Sequence, residues 1–207
     1  MDNKKMTRKA HNNIAKKYYE LYKDDTSDLE YFDTFLKQSG PSILDLGCGM
    51  GHYSSYMYKQ GFNVVGIDFS KKMLSIAKKN NPNIEFILDD VTNLKSIENR
   101  KFHGIVLAYV LQHLSKNEAI SVFNTLNKYV YDNTTLLLFL REGEKVLEEI
   151  EPINPKFKYI INEYSKEEIK TILENYGWEI IFMETKDYIE DPNSLAPTTL
   201  VVIAKKV

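Results

Sequence analysis

The stretch Ile43-Leu44-Asp45-Leu46-Gly47-Cys48-Gly49-Met50-Gly51 decides the fold. A short apolar run leads into an acid, and three glycines then stand at alternate positions. The run reads as a buried strand. The glycines read as a tight turn into a helix, because glycine takes left-handed backbone without steric cost. Seventeen residues beyond Gly51, the apolar run Val64-Val65-Gly66-Ile67 ends in Asp68. Strand, glycine turn, helix and acid-ended strand point to a nucleotide-type cofactor at the C-terminal edge of a parallel sheet.

The pattern continues in both directions. Upstream, residues 7–23 and 28–38 carry helical periodicity, with Ile14, Ala15, Tyr18, Tyr19 and Tyr22 at spacings of three and four, and Ser39-Gly40-Pro41 ends the second segment. Downstream, strand patterns at 42–46, 63–67, 84–88, 104–109 and 135–140 alternate with helix patterns at 51–60, 70–80 and 116–130. Ser70 and Ser115 are placed as N-caps, and Ser165-Lys166-Glu167-Glu168 opens a helix to Tyr176 with a capping-box sequence. Strands at 178–184 and 199–204 close the chain, joined by a loop containing Asp191-Pro192 and Pro197. Two strands joined without a helix are naturally antiparallel, so one edge should carry a reversed strand. Seven strands with interleaved helices predict an α/β, Rossmann-like, mostly parallel doubly wound sheet.

The expected organisation is a single domain over 1–207. Residues 1–39 form an N-terminal helical cap, 40–140 the cofactor-binding half, 141–164 an irregular substrate-side insertion with Pro152 and Pro155, and 165–207 a final helix and strand pair.

The residues around the turn narrow the cofactor. The third position of a dinucleotide G-x-G-x-x-G is His52, not glycine. Asp45 puts a carboxylate just before the turn, where it would repel a pyrophosphate and suits an ammonium or sulfonium group. S-adenosylmethionine carries both. Asp68 is placed to accept both ribose hydroxyls and disfavours a 2′-phosphate.

At these residues the sequence resembles the class I S-adenosylmethionine-dependent methyltransferases, of the small-molecule type with a helical N-terminal cap. Leu44 through Gly51 matches the first motif and Val65-Gly66-Ile67-Asp68-Phe69-Ser70 the second, with Lys72-Met73-Leu74 following. Phe86-Ile87-Leu88-Asp89-Asp90-Val91 matches the third, and Phe102-His103-Gly104-Ile105-Val106 through Leu111-Gln112-His113-Leu114 the fourth. The resemblance covers roughly residues 10–205 and implies strand order 3-2-1-4-5-7-6 with the last strand antiparallel. It implies a cofactor site of Tyr18, Asp45, Gly47, Cys48, Gly49, Gly51, Asp68, Phe69, Met73, Asp89, Asp90, Val91 and Ala108. Asp90, rather than Asp89, takes the adenine amino group by position, and an aspartate that caps the next turn is the other reading there. His103 replaces a common acid at the start of the fourth strand, away from the cofactor edge. The segment from His11 to Tyr18 resembles one that folds over the cofactor.

The chemistry implied is in-line methyl transfer, in which the protein mainly positions nucleophile and methyl. His113 is the base candidate by family position, with His11 and Tyr109 as alternatives; a packing histidine is the structural reading. Aromatic residues of the cap and of 141–164 suit a small, partly apolar acceptor, or simply a core. Arg141, just past the fifth strand, could pair with an anionic substrate group or with a structural acid.

Bulk properties exclude several classes. The net charge is -2 over 207 residues, so no basic field points to nucleic acid, although a local patch stays open. One cysteine, Cys48, excludes a disulfide framework and a zinc cluster. No stretch approaches the ~20 apolar residues of a membrane span, which with the polar N-terminus predicts a cytoplasmic protein without metal. The sequence reading is therefore an S-adenosylmethionine-dependent enzyme methylating an O or N atom of a small molecule. A tRNA or protein methyltransferase of the same fold and a non-catalytic cofactor-binding module are the alternatives. Asp45 and the glycine spacing disfavour an NAD oxidoreductase. Oligomeric state is not encoded in any visible heptad.

Overall fold

The computed structural model of the chain describes residues 3–187 and 198–207. Strand β1 (Ser42–Leu46) pairs in parallel with β2 (Asn63–Asp68) on one side and β4 (Phe102–Ala108) on the other. Outside these lie β3 (Glu85–Leu88), parallel to β2, and β5 (Val130–Arg141), parallel to β4. Four helices connect or flank these strands: α3 (His52–Lys59), α4 (Lys71–Asn80), α5 (Lys116–Leu126) and α6 (Lys166–Asn175). They are preceded by α1 (Asn3–Tyr22) and α2 (Leu29–Gln38). The last strand, β9 (Thr198–Lys206), runs antiparallel to β5 and to the edge strand β8 (Trp178–Asp187).

The sheet order is β3-β2-β1-β4-β5-β9-β8. Counted over the seven strands of this sheet, that is the expected order with its last strand reversed; the reversed strand sits one place in from the edge. The loop with Asp191, Pro192 and Pro197 lies outside the described residues.

The period of two explains why the sheet is buried on both faces. Along β5, Leu136, Leu138 and Leu140 enter one core with Leu44, Leu46 and the inner face of α5. Leu137 and Phe139 enter the other, with Ile43, Val106 and the α2 residues Phe32 and Phe35. Each fully buried Leu or Phe contributes roughly 1.5–3 kcal/mol relative to exposure. Helix α2 therefore belongs to the core, and α1 alone caps the edge.

Helix starts follow the sequence. Ser70 Oγ accepts from Met73 N at 3.2 Å, and Ser115 with Glu118 makes a complete capping box. Ser165 Oγ accepts from Glu168 N at 3.3 Å. Strand β5 begins at Val130, before the expected 135, because an irregularity opposite Phe102 and Gly104 absorbs the extra residues.

The segment 141–164 is not irregular. It holds an antiparallel hairpin, β6 (Val146–Ile150) with β7 (Lys158–Asn162). Glu151 N donates to Phe157 O at 3.0 Å to close its loop, which contains both prolines where no ladder donor is needed. Among the described residues no helix is long and apolar enough to cross a membrane.

Candidate functional site

The turn after β1 is tied to β2 before any side chain is involved. Gly47 N and Cys48 N both donate to Ile67 O, at 2.7 and 2.9 Å. Gly47, Gly49 and Gly51 take φ of 74°, 53° and 78°, the left-handed region that the alternating glycines predicted. A Cβ on Gly47 would stand 2.3 Å from Val110 Cγ2, whereas one on Gly49 would meet nothing within 4 Å. Gly49 thus presents bare backbone to open space at the C-terminal edge, the property a cofactor turn requires.

Two acids frame that turn. Asp68, 4% exposed, accepts from Gly49 N at 2.9 Å and from Ser70 N at 2.7 Å. Asp45, 1% exposed, accepts from Ser54 Oγ of α3 at 2.5 Å. Burial pushes Asp45 up to about 7, with Asp68 nearby adding to the shift. Burial likewise raises Asp68 to about 6, against the pull of its backbone bonds. Among the described residues neither acid has an ion-pair partner. Two desolvated carboxylates with no protein cation fit a ligand that brings its own positive charge.

Helix α1 lies across this edge. Asn12 Oδ1 accepts from Ser70 Oγ at 3.1 Å and from Lys72 N at 3.0 Å, capping α4 from outside. Ile14 and Ala15 pack against Met50 and Met73, with Tyr18 and Tyr19 alongside. His11 meets the Phe69 ring edge-on at 6.2 Å and the His113 ring at 5.6 Å. Asn12, Met50 and Ser54 were not singled out in the sequence. No local signal marks Asn12, whose neighbours four residues away on the helix, Arg8 and Lys16, are charged and exposed.

The third acidic motif divides its labour. Asp89 caps its own turn, accepting from Asp90 N at 2.7 Å and Ser96 N at 2.9 Å. Asp90 Oδ1 accepts from Thr92 N at 2.9 Å and Thr92 Oγ1 at 2.7 Å, and its Oδ2 faces Lys4 Nζ at 3.0 Å. Val91 is buried in the core beside them.

With this geometry in place, the comparisons with known proteins are direct. Residues 43–132 match the family model described as "Methyltransferase domain". An uncharacterized methyltransferase of Alkaliphilus oremlandii is 30% identical over 95 residues, 46% of this chain and 43% of that protein. The chain spans under half the length of the curated relatives it matches. A Methanosarcina mazei structure described as an S-adenosylmethionine-dependent methyltransferase superposes with a TM-score of 0.75 at 18% identity, covering 86% of this chain and 97% of that one. The chain has the class I methyltransferase fold. The Burkholderia thailandensis 1,6-didemethyltoxoflavin-N1-methyltransferase, solved with bound 1,6-didemethyltoxoflavin and S-adenosylhomocysteine, superposes with a TM-score of 0.74 at 14% identity, covering 98% and 88%.

On this methyltransferase fold the remaining sequence candidates fall in different places. Ala108 ends β4 and leads into Tyr109, whose φ of 59° is unusual for a non-glycine residue. The Tyr109 hydroxyl donates to buried Asp28 at 3.0 Å, where Tyr53 also donates at 2.7 Å. His113 stands over the same edge, its ring 5.4 Å from that of Tyr159. Burial lowers His113 to about 3 and His11 to about 4, so both imidazoles are neutral at neutral pH. His113 Nδ1 is buried and has no hydrogen-bond partner in the protein. Tyr18 packs on Tyr22 at 4.6 Å, and burial raises its phenol well above the usual range.

Three further residues of the sequence reading have definite surroundings. The thiol of Cys48 turns into the core against Gly66, and burial raises it, so only its backbone faces the turn. Arg141 is ion-paired with Glu149 and lies 3.4 Å from Glu163, all three nearly buried, so of the two partners the sequence left open the structural acids are the ones it meets. His103, at the far end of β4, bonds Ser42 Oγ at 2.8 Å and stacks on Tyr131.

Two surface clefts, of about 400 and 530 Å³, lie elsewhere. One is at the N-terminal ends of the strands near Ser42, Asn63 and Glu85, and the other is beside Gly177 and Val207. In sheets of this topology ligands bind at the opposite, C-terminal ends. No group of three or more candidate metal ligands exists among the described residues.

Proposed function

We propose that the chain is an S-adenosylmethionine-dependent methyltransferase acting on an O or N atom of a small-molecule acceptor. The observation that carries this reading is the pair Asp45 and Asp68, desolvated and among the described residues without an ion-pair partner, with Asp68 bonded to the bare Gly49 backbone. When bound, the cofactor supplies a methyl group already activated by its sulfonium.

The chain's own residues then hold and orient. Asp68 keeps acceptor capacity beyond its two backbone donors, suited to ribose hydroxyls. Asp45 offers a negative charge for the ammonium and sulfonium end. Asp90 is the acceptor for an exocyclic amine, and Met50 and Met73 supply apolar surface under α1. A neutral His113 can accept a proton or a hydrogen bond from the acceptor, but its low basicity limits it as a base, so positioning carries the acceleration.

A small acceptor is supported by the apolar and aromatic residues that α1 brings over this edge, Ile14, Ala15 and Tyr18 against Met50 and Met73. The 1,6-didemethyltoxoflavin bound in the Burkholderia neighbour is a small molecule. The test is incubation of the purified protein with methyl-labelled cofactor and either fractionated small molecules or total tRNA. Label transferred to a small-molecule fraction supports the reading. Label only in tRNA or in protein overturns the acceptor class.

A further inference from the structure

Lys4, in the first turn of α1, reaches three acceptors at once. Its Nζ lies 3.0 Å from Asp90 Oδ2, 3.1 Å from Thr92 Oγ1 and 3.2 Å from Glu118 Oε1. Its neighbour Asn3 clamps β7, accepting from Ile160 N at 2.7 Å and donating to Ile160 O and His113 O at 2.9 Å. Only Thr7, Ala10, Ile14 and Ala15 of the twenty residues of α1 are buried. The apolar contacts of α1 lie toward its middle, from Ala10 to Tyr19, and the polar contacts of Asn3 and Lys4 fasten its first turn.

The Asp90 carboxylate is shared in a particular way. Thr92 donates twice to Oδ1, so Oδ2 is the oxygen left for any further donor, and Lys4 holds it. Burial disfavours both charges, but the bonds outweigh it: Asp90 is held below the usual carboxylate range and Lys4 above the usual ammonium range. Glu118 is held low as well, by Ser115 and Lys4. One ammonium thus bridges two carboxylates that belong to different elements.

Resting on the function proposed above, we infer that Lys4 is a positioning residue that acts through Asp90. It seats α1 over the cofactor edge by occupying Asp90 Oδ2, the oxygen the adenine amino group needs, and Glu118 receives it when the amine arrives. Closure by α1 and recognition of the base then compete for one atom. The bridge makes the exchange inexpensive, because Lys4 keeps a counter-charge throughout. Both side chains of each pair are about a quarter to a third exposed, so salt weakens the hold of Lys4 without abolishing it.

The test compares two ligands, S-adenosylhomocysteine and S-inosylhomocysteine, which carries a carbonyl oxygen in place of the amino group. Affinities are measured calorimetrically with the wild type, Lys4→Met and Glu118→Gln. Lys4→Met should raise the preference for the amino compound about tenfold, the effect of one unmasked charge-assisted hydrogen bond. Glu118→Gln should lower affinity for the amino compound, since Lys4 then has nowhere to go. Hydrogen exchange of the ligand-free Lys4→Met protein should be faster in α1 with the sheet unchanged, which also verifies folding. An unchanged or reduced preference in Lys4→Met, with wild-type binding intact, overturns this inference alone. Absence of wild-type binding to both ligands overturns the methyltransferase reading and this inference with it.

Discussion

The Gly49 amide donates to Asp68 Oδ2 at 2.9 Å, fastening the glycine turn after β1 to the end of β2. One carboxylate therefore shapes the turn and also stands at the position where a ribose would lie. Because its other oxygen takes Ser70 N, Asp68 also fixes the start of α4. Structure and binding are coupled through a single side chain.

Asp68→Ala removes these acceptors together. The expected loss in S-adenosylhomocysteine affinity is about 1.5–3 kcal/mol, the range for hydrogen bonds to a charged group. Asp68→Asn keeps one acceptor oxygen and should fall between wild type and alanine. Titration calorimetry reads the affinity, and thermal unfolding reads the loosening of the turn. Unchanged affinity in Asp68→Ala would remove Asp68 from the site.

The glycines separate strain from contact. Gly49→Ala adds a methyl group in open space at φ 53°, so only the left-handed backbone penalty of roughly 1–2 kcal/mol applies to folding. Gly47→Ala adds the same penalty and a collision with Val110, worth about 1–3 kcal/mol more. Denaturant unfolding should therefore rank Gly47→Ala as the less stable. Gly49→Ala should lose ligand affinity out of proportion to its stability. The reverse ranking would mean that the space beside Gly49 is not a ligand approach.

The buried acids and histidines oppose one another in pH. Asp45 and Asp68 are raised to about 7 and 6, so their contribution to stability is full below the unfolded value near 4 and is lost as pH rises through 6 to 7. His113 and His11 are lowered to about 3 and 4, so theirs is full above the unfolded value of about 6.5 and is lost as pH falls toward 4 and 3. Between roughly pH 4 and 6 the two slopes offset each other. Binding of a cationic ligand requires the acids ionised. S-adenosylmethionine affinity should therefore fall below about pH 7, first through Asp45 and below about pH 6 through Asp68 as well, with proton release on binding, toward tenfold per pH unit for each acid that must ionise. Calorimetry in buffers of different ionisation heat measures this, and pH-independent affinity would rule out both carboxylates as ligand contacts.

Arg141→Ala should act on stability. It leaves Glu149 and Glu163, 15% and 11% exposed in their side chains, without their shared cation. Breaking such a buried pair costs about 3–5 kcal/mol. Urea unfolding should show the loss, with the acceptor KM of surviving protein unchanged. Full stability with a raised KM would return Arg141 to the substrate.

The sequence was most legible where local chemistry is decisive. The glycine turn, the acid-ended strand β2 and the serine caps need only neighbours within a few residues, and all appear as read. The hairpin β6–β7 was hidden because its alternation runs against expectation: Val146, Glu148 and Ile150 face outward while Leu147 and Glu149 face in. Glu149 points inward to meet Arg141, a partner that only tertiary pairing reveals. Helix α2 reads like α1 in sequence, yet Phe32 and Phe35 bury it in the core. Likewise, nothing local to Lys4 announces Asp90 or Glu118, far along the chain.

The most direct measurement is calorimetric titration of S-adenosylmethionine, S-adenosylhomocysteine and NAD into the purified protein, with Asp68→Ala alongside. The account predicts binding of both sulfur ligands, weakened in the variant, and none of NAD. Binding of NAD, or of neither sulfur ligand, would contradict it.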